Sequence, residues 1–145
     1  MRLTRSGEYA VRCILYLCSQ RTGEVCSRKQ IAREMDIPYE FLGKIAQDLA
    51  RHGLVELVQG SKGGLRLLHS PHEITLLDVV EAINGEIGLN DCVVRPDSCR
   101  RSPTCTVHRV WLEARSQVRD TLRRATFARL LDQGTCLASP EDGKP

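Results

Sequence analysis

Three cysteines and a histidine, spaced Cys92-x6-Cys99-x5-Cys105-x2-His108, lie in one stretch of the chain that shows neither helical nor strand periodicity. Thiolates and a neutral imidazole are metal ligands, and four of them on one irregular loop form a plausible ligand set. Structural zinc sites usually bring their cysteines in pairs about two to four residues apart, and the gaps here are wider. An iron–sulfur cluster needs thiolates spread around a larger object, which wide gaps supply. Arg95, Arg100 and Arg101 in the same loop would offset part of a cluster's negative charge. Spacing therefore favours an iron–sulfur cluster and leaves zinc, or free redox-switching thiols, as alternatives. His108, at a helix start, is either a fourth ligand or a polar surface residue.

A second set of residues suits a polyanion. Ser27 and Arg28 stand at the start of a helix, and Ser61 and Lys62 in a glycine-rich turn, where they could donate to phosphate. Tyr39, Glu40 and Lys44 fall near the N-terminus of the following helix, the part of a recognition helix that reads base edges in a major groove. By contrast, no nucleophile–base pair, phosphate loop or catalytic carboxylate pair is evident, so the sequence does not read as an enzyme.

The elements that must position these groups follow from local signals. Thr4 caps a first helix to about Ser19, with Ala10, Cys13, Ile14, Leu17 and Cys18 on one apolar face, so Cys13 and Cys18 are expected in the core. Ser27 and Gln30 form a capping-box pattern for a short second helix, with Ile31, Ala32 and Met35 facing inward. Pro38 opens a third helix that ends near His52, with Gly53 as its left-handed cap. Its buried face is expected to be Phe41, Leu42, Ile45, Ala46 and Leu49. Leu54–Gln59 and Leu65–Leu68 read as strands about a turn at Gly60-Ser61-Lys62-Gly63-Gly64. Short helices, a turn and a β-hairpin make a winged helix-turn-helix. Thr75 and Asp78 then form a capping box for a helix to Asn84.

Beyond the cysteine loop, apolar residues at Val107, Trp111, Ala114, Val118, Leu122 and Ala125 predict one long helix to about Leu131. Such a helix would span roughly 35–40 Å, more than a small domain covers. Trp111, Ala114, Val118 and Leu122 are therefore expected to form a seam with a second copy of the chain. The expected fold class is mostly α with a small β-hairpin. The expected organisation is a winged helix-turn-helix over 1–70, a connector over 71–91, a cluster loop over 92–108, a dimerisation helix over 107–131 and a disordered tail over 139–145.

Bulk properties agree with a nucleic-acid partner. Of the net charge of +3, residues 1–70 carry 11 Lys/Arg against 7 Asp/Glu, whereas residues 71–145 carry 10 against 11. The first half is thus the better face for DNA. No apolar run approaches the roughly 20 residues of a membrane span, and no leader pattern opens the chain, so a cytoplasmic protein without a membrane partner is expected. There, the seven cysteines stay reduced.

Four motifs stand out: Met1-Arg2-Leu3-Thr4, Gly7-Glu8-Tyr9-Ala10-Val11-Arg12, Gly60-x-x-Gly63-Gly64-Leu65-x-Leu67 and Pro71-x-x-Ile74-Thr75-Leu76-x-Asp78-Val79-Val80. Together they resemble the IscR/NsrR-type regulators of the Rrf-two family. The resemblance covers residues 1 to about 130. It implies a homodimeric winged-helix repressor or activator that binds a two-fold site on double-stranded DNA and responds to an iron–sulfur cluster. It also implies Cys92, Cys99 and Cys105 as the cluster's ligands, although the first gap is one residue longer than in the family pattern. His108 matches the histidine that completes a 2Fe–2S site in IscR-type members. Glu8 stands where NsrR-type members bring a carboxylate from the partner subunit to a 4Fe–4S site. Both ligands, and both cluster types, remain open at this point. So do two rival functions: an iron–sulfur electron-transfer or scaffold protein without DNA binding, and a zinc-bound or cluster-free regulator of the same fold.

Overall fold

A computed structural model describes residues 2–134; the tail expected to be disordered, 139–145, lies outside the described residues. Seven helices and one hairpin run in the order α1 (Arg5–Ser19), α2 (Arg28–Glu34), α3 (Tyr39–Arg51), β1 (Val55–Val58), β2 (Gly64–Leu67), α4 (Leu76–Asn84), α5 (Asp91–Val94), α6 (Thr106–Arg124) and α7 (Phe127–Asp132). Two 3-10 turns, Pro96–Ser98 and Ser102–Thr104, lie between α5 and α6. The class is mostly helical with one antiparallel hairpin.

The head is built on α1. The Thr4 side chain accepts from Gly7 N, as a helix-capping residue does, and Cys13 and Ile14 on the inner face have no exposed surface. Around them close Ile31, Leu42, Ile45, Leu49, Val55, Leu65 and Phe127. The hairpin register pairs Val55 with Leu67 and Leu57 with Leu65, so Val55 and Leu65 can both turn their side chains into this core. Cys26, for which sequence offers no partner, exchanges backbone hydrogen bonds with Leu65 at 2.9 and 2.8 Å, an isolated bridge onto β2 of the wing. Gly64 makes that approach possible: a Cβ there would lie 2.0 Å from the Cys26 carbonyl oxygen.

Three expectations are corrected here. Ser27 caps α2 through Gln30 N, but the Gln30 amide donates to the Tyr16 hydroxyl at 2.7 Å instead of reaching back, so the box is half made. Phe41 is 48 % exposed, in an edge-to-face contact with Tyr9 at 5.8 Å, because it lies at the rim of the apolar face that Leu42, Ile45, Ala46 and Leu49 turn into the core. The expected long last helix is two helices. It breaks at Ala125 and Thr126, where residues 125–128 pair with the strand-like segment before α4: Leu76 N donates to Ala125 O at 2.9 Å and Phe127 N to Ile74 O at 3.0 Å. Thr126 caps α7 by accepting from Arg129 N, and Phe127 drops fully buried into the head.

An arm made of α5, the 3-10 turns and α6 leans on α4. A second, smaller core of Leu77, Val80 and Ile87 gathers Leu3 from the segment before α1 and Val11 from α1 with Val118 and Leu122 from α6. Val118 and Leu122, expected to face another copy, thus turn at least part of their surface to their own chain. Arg119 and Glu81 pair across the same junction, and Arg115 donates to the Ile87 carbonyl at 2.6 Å.

Candidate metal centre and nucleic-acid interface

The arm places all four loop donors around one hollow. Cys92 on α5, Cys99 after the first 3-10 turn, Cys105 at the N-cap of α6 and His108 in its first turn line a cavity of about 230 Å³. His108 is buried, and its Nδ1 lies 3.3 Å from Cys92 Sγ. Among the described residues no three His, Cys, Asp or Glu side chains are gathered closely enough to hold a single metal ion. The four donors share the lining of one hollow.

Four neighbours of this cavity, Asn90, Ser102, Val107 and Trp111, were not expected by sequence reasoning to belong to the cluster site. Trp111, expected at a dimer seam, forms one wall, and its Nε1 donates to the Asn90 side-chain oxygen at 2.8 Å once that amide is turned to suit its neighbours. Val107 lines the same space. Ser102 is buried, lines the cavity, and its hydroxyl has no hydrogen-bond partner. An orphaned buried hydroxyl costs roughly 1–3 kcal/mol, and together with the soft donor set it marks a space shaped for a polar guest. An iron–sulfur cluster fits these residues. A serine among cysteines carries no sequence signal by itself; only its burial reveals it.

Glu8 sits elsewhere in the same chain. It is exposed on the first turn of α1 and shares a shallow hollow with Arg2, Leu3, Thr4 and Arg5. The α1 start is tied to α4, since Thr4 Oγ1 donates to Asn84 Oδ1 at 2.7 Å.

The other predicted donors meet between the wing and α3. A cleft of about 490 Å³ is lined by Ser27, Arg28, Tyr39 and Ser61, with Gly43 and Gln47 from the face of α3. The Arg28 guanidinium lies over the Tyr39 ring at 5.2 Å, and a Cβ on Gly43 would come within 3.0 Å of it. Gly43 therefore gives Arg28 room across α3. Glu40, Lys44 and Lys62 are exposed beside the cleft and do not line it. The turn between α2 and α3 is held from α1, where Arg12 donates to the Met35 and Asp36 carbonyls at 3.4 and 3.3 Å. Asp36 takes a left-handed φ of 52° there, which a short polar side chain tolerates.

Comparison with known proteins decides the lineage. Residues 3–133 match the Rrf2 family, described as "Iron-dependent Transcriptional regulator". The chain belongs to the Rrf2 family. Over 132 residues it is 33 % identical to the HTH-type transcriptional regulator NsrR of Shouchella clausii, covering 90 % of this chain and 89 % of that protein. Two solved structures share the fold. CymR, the global cysteine regulator of B. subtilis, aligns with a TM-score of 0.73 at 22 % identity over 92 % of this chain and 98 % of its own. T. potens IscR aligns with a TM-score of 0.70 at 22 % identity over 100 % and 93 %. This Rrf2 chain thus sits among transcription regulators and not among enzymes. Among its described residues no helix is long and apolar enough to cross a membrane.

Proposed function

We propose that this Rrf2 chain is a cytoplasmic, homodimeric DNA-binding regulator whose grip on a two-fold operator depends on an iron–sulfur cluster held by Cys92, Cys99 and Cys105. The observation that carries the reading is the shared cavity of three thiols, His108 and an orphaned hydroxyl on an arm packed against α4. His108 is the fourth ligand within one chain; Glu8 from a partner subunit is the alternative. A bound cluster would supply iron open to attack by nitric oxide or oxygen at its one non-thiolate position.

The protein's own residues supply the coupling. Val118 and Leu122 transmit any shift of α6 to Leu77 and Val80 on α4, to Val11 on α1 and to Leu3 just before it. Through α1, Arg12 holds the turn that aims α3. Ser61 and Lys62 on the wing, with Ser27 and Arg28, grip phosphate, while Tyr39, Glu40 and Lys44 face base edges. Dimerisation runs along α6, where Val107 and Val110 are 53 % and 59 % exposed and Trp111 and Ala114 continue the face beside them.

The test is anaerobic purification followed by absorption spectra with iron and sulfide analysis. Visible charge-transfer bands with matching iron and acid-labile sulfide support the reading. A colourless protein with stoichiometric zinc contradicts it.

A further inference from the structure

Among the described residues two buried polar side chains occur, Ser102 at 8 % and His108 at 9 % exposure, and both line the same cavity. His108 has Cys92 Sγ as a partner and Ser102 Oγ has none. The backbone around Ser102 is fully engaged: its N–H donates to the Cys99 carbonyl at 3.2 Å and its carbonyl accepts from Cys105 N at 3.4 Å. Two ligand cysteines therefore pin this residue from either side, and Pro103 after it stiffens the 3-10 turn it opens. A serine hydroxyl usually finds a nearby carbonyl. This one instead lines a space whose other walls are three thiols, an imidazole, an indole, the Asn90 amide and Val107.

Resting on the cluster reading above, we infer that Ser102 is a positioning and tuning residue whose hydroxyl donates a hydrogen bond to a sulfur of the bound cluster, either a ligand thiolate or a sulfide. Sulfur carries more negative charge when a cluster is reduced, so a donor aimed at it favours the reduced form and raises the reduction potential. The role needs the hydroxyl hydrogen and nothing else of the side chain. It also explains why a polar atom without a protein partner is sealed in the arm.

The experiment compares wild type, Ser102→Ala and Ser102→Thr as full-length, anaerobically cluster-loaded protein, reading the midpoint potential by optical redox titration. The expected result is a lower potential in the alanine variant and a potential close to wild type in the threonine variant. Loss of the cluster from Ser102→Ala with retention in Ser102→Thr supports the same role. An unchanged potential in Ser102→Ala overturns the inference, as does an equal shift in both variants or cluster loss from both, since each shows that the hydroxyl is not what matters. A wild type that takes up no cluster overturns the underlying reading, and the inference with it; the other outcomes concern Ser102 alone.

Discussion

Cys13, Cys18 and Cys26 in the head, and Cys92, Cys99 and Cys105 in the arm, are the same side chain in opposite settings. The head thiols are buried at 9 % exposure or less, and burial pushes Cys13 and Cys18 from the usual 9.0 up to about 12. Burial, and then the nearby Glu24 charge, raises Cys26 as well. They behave as small hydrophobic side chains. The arm thiols are exposed or half-exposed around a cavity, on a one-turn helix, after a 3-10 turn and at the N-cap of α6. A cysteine's role is thus set by whether its element has a core to face. Helical periodicity put Cys13 and Cys18 inside, and its absence left the arm cysteines free to bind.

The largest effect that sharpens this contrast is all-or-none. Cys99→Ala should abolish the cluster's visible absorption and leave the head's melting transition in place. Cys13→Ser should do the reverse, keeping the spectrum but costing roughly 1–3 kcal/mol of stability by burying an unpaired hydroxyl. Thermal unfolding followed alongside absorption separates the two, and cluster loss in Cys13→Ser at unchanged stability would break the comparison.

Reactivity should differ nearly as much. The thiolate is the nucleophile, and at pH 8 a thiol titrating at about 12 is ionised in only about one molecule in ten thousand, while the arm thiols stand exposed or half-exposed to the reagent. In cluster-free protein, iodoacetamide should therefore label Cys92, Cys99 and Cys105 while Cys13 and Cys18 stay unmodified by peptide mass mapping. The same shift has a sign for stability. A folded-state value raised above the unfolded one favours the protonated form, so its contribution is complete below about 9 and is lost as pH rises toward 12. The melting temperature of the head should fall across that alkaline window, a fall that Cys13→Ala should reduce.

A smaller effect is expected at the fourth ligand. His108→Ala should retain a cluster with a shifted spectrum, and Glu8→Ala should leave the spectrum unchanged, because His108 lines the cavity and Glu8 lies outside it in the same chain. A shift in the Glu8 variant alone would move the ligand to the partner subunit. Smallest of all, Lys62→Ala on the exposed wing should weaken binding to every duplex alike and reduce the salt slope by about one per half-site. A change of sequence preference without a change of slope would exchange the roles assigned to the wing and to α3.

The head was largely legible in the sequence because its signals are local. The Thr4 cap, the Thr75–Asp78 capping box and the left-handed Gly53 need only near neighbours, and all three are present. What escaped was set by distant packing. Gln30 left its cap for Tyr16, fourteen residues back in sequence. The break at Ala125 came from pairing with Ile74 and Leu76, and Phe127 was drawn into a core formed largely by α1 and α3. At the candidate metal site the cysteine spacing was visible, but the walls were not: Trp111 carried a helical apolar signal that fits a seam and a cavity equally well, and Ser102 carried none.

The central claim is that the arm's cluster governs the head's hold on DNA, and one measurement meets it directly. Binding of the full-length protein to a duplex selected from random sequence should be followed by fluorescence anisotropy without oxygen, for cluster-loaded wild type, the same protein stripped of its cluster, and Cys99→Ala. The account predicts that removing the cluster changes Kd by about 5- to 150-fold, the range of a typical coupling between sites, and that Cys99→Ala matches the stripped protein. Equal affinities in all three preparations would contradict it.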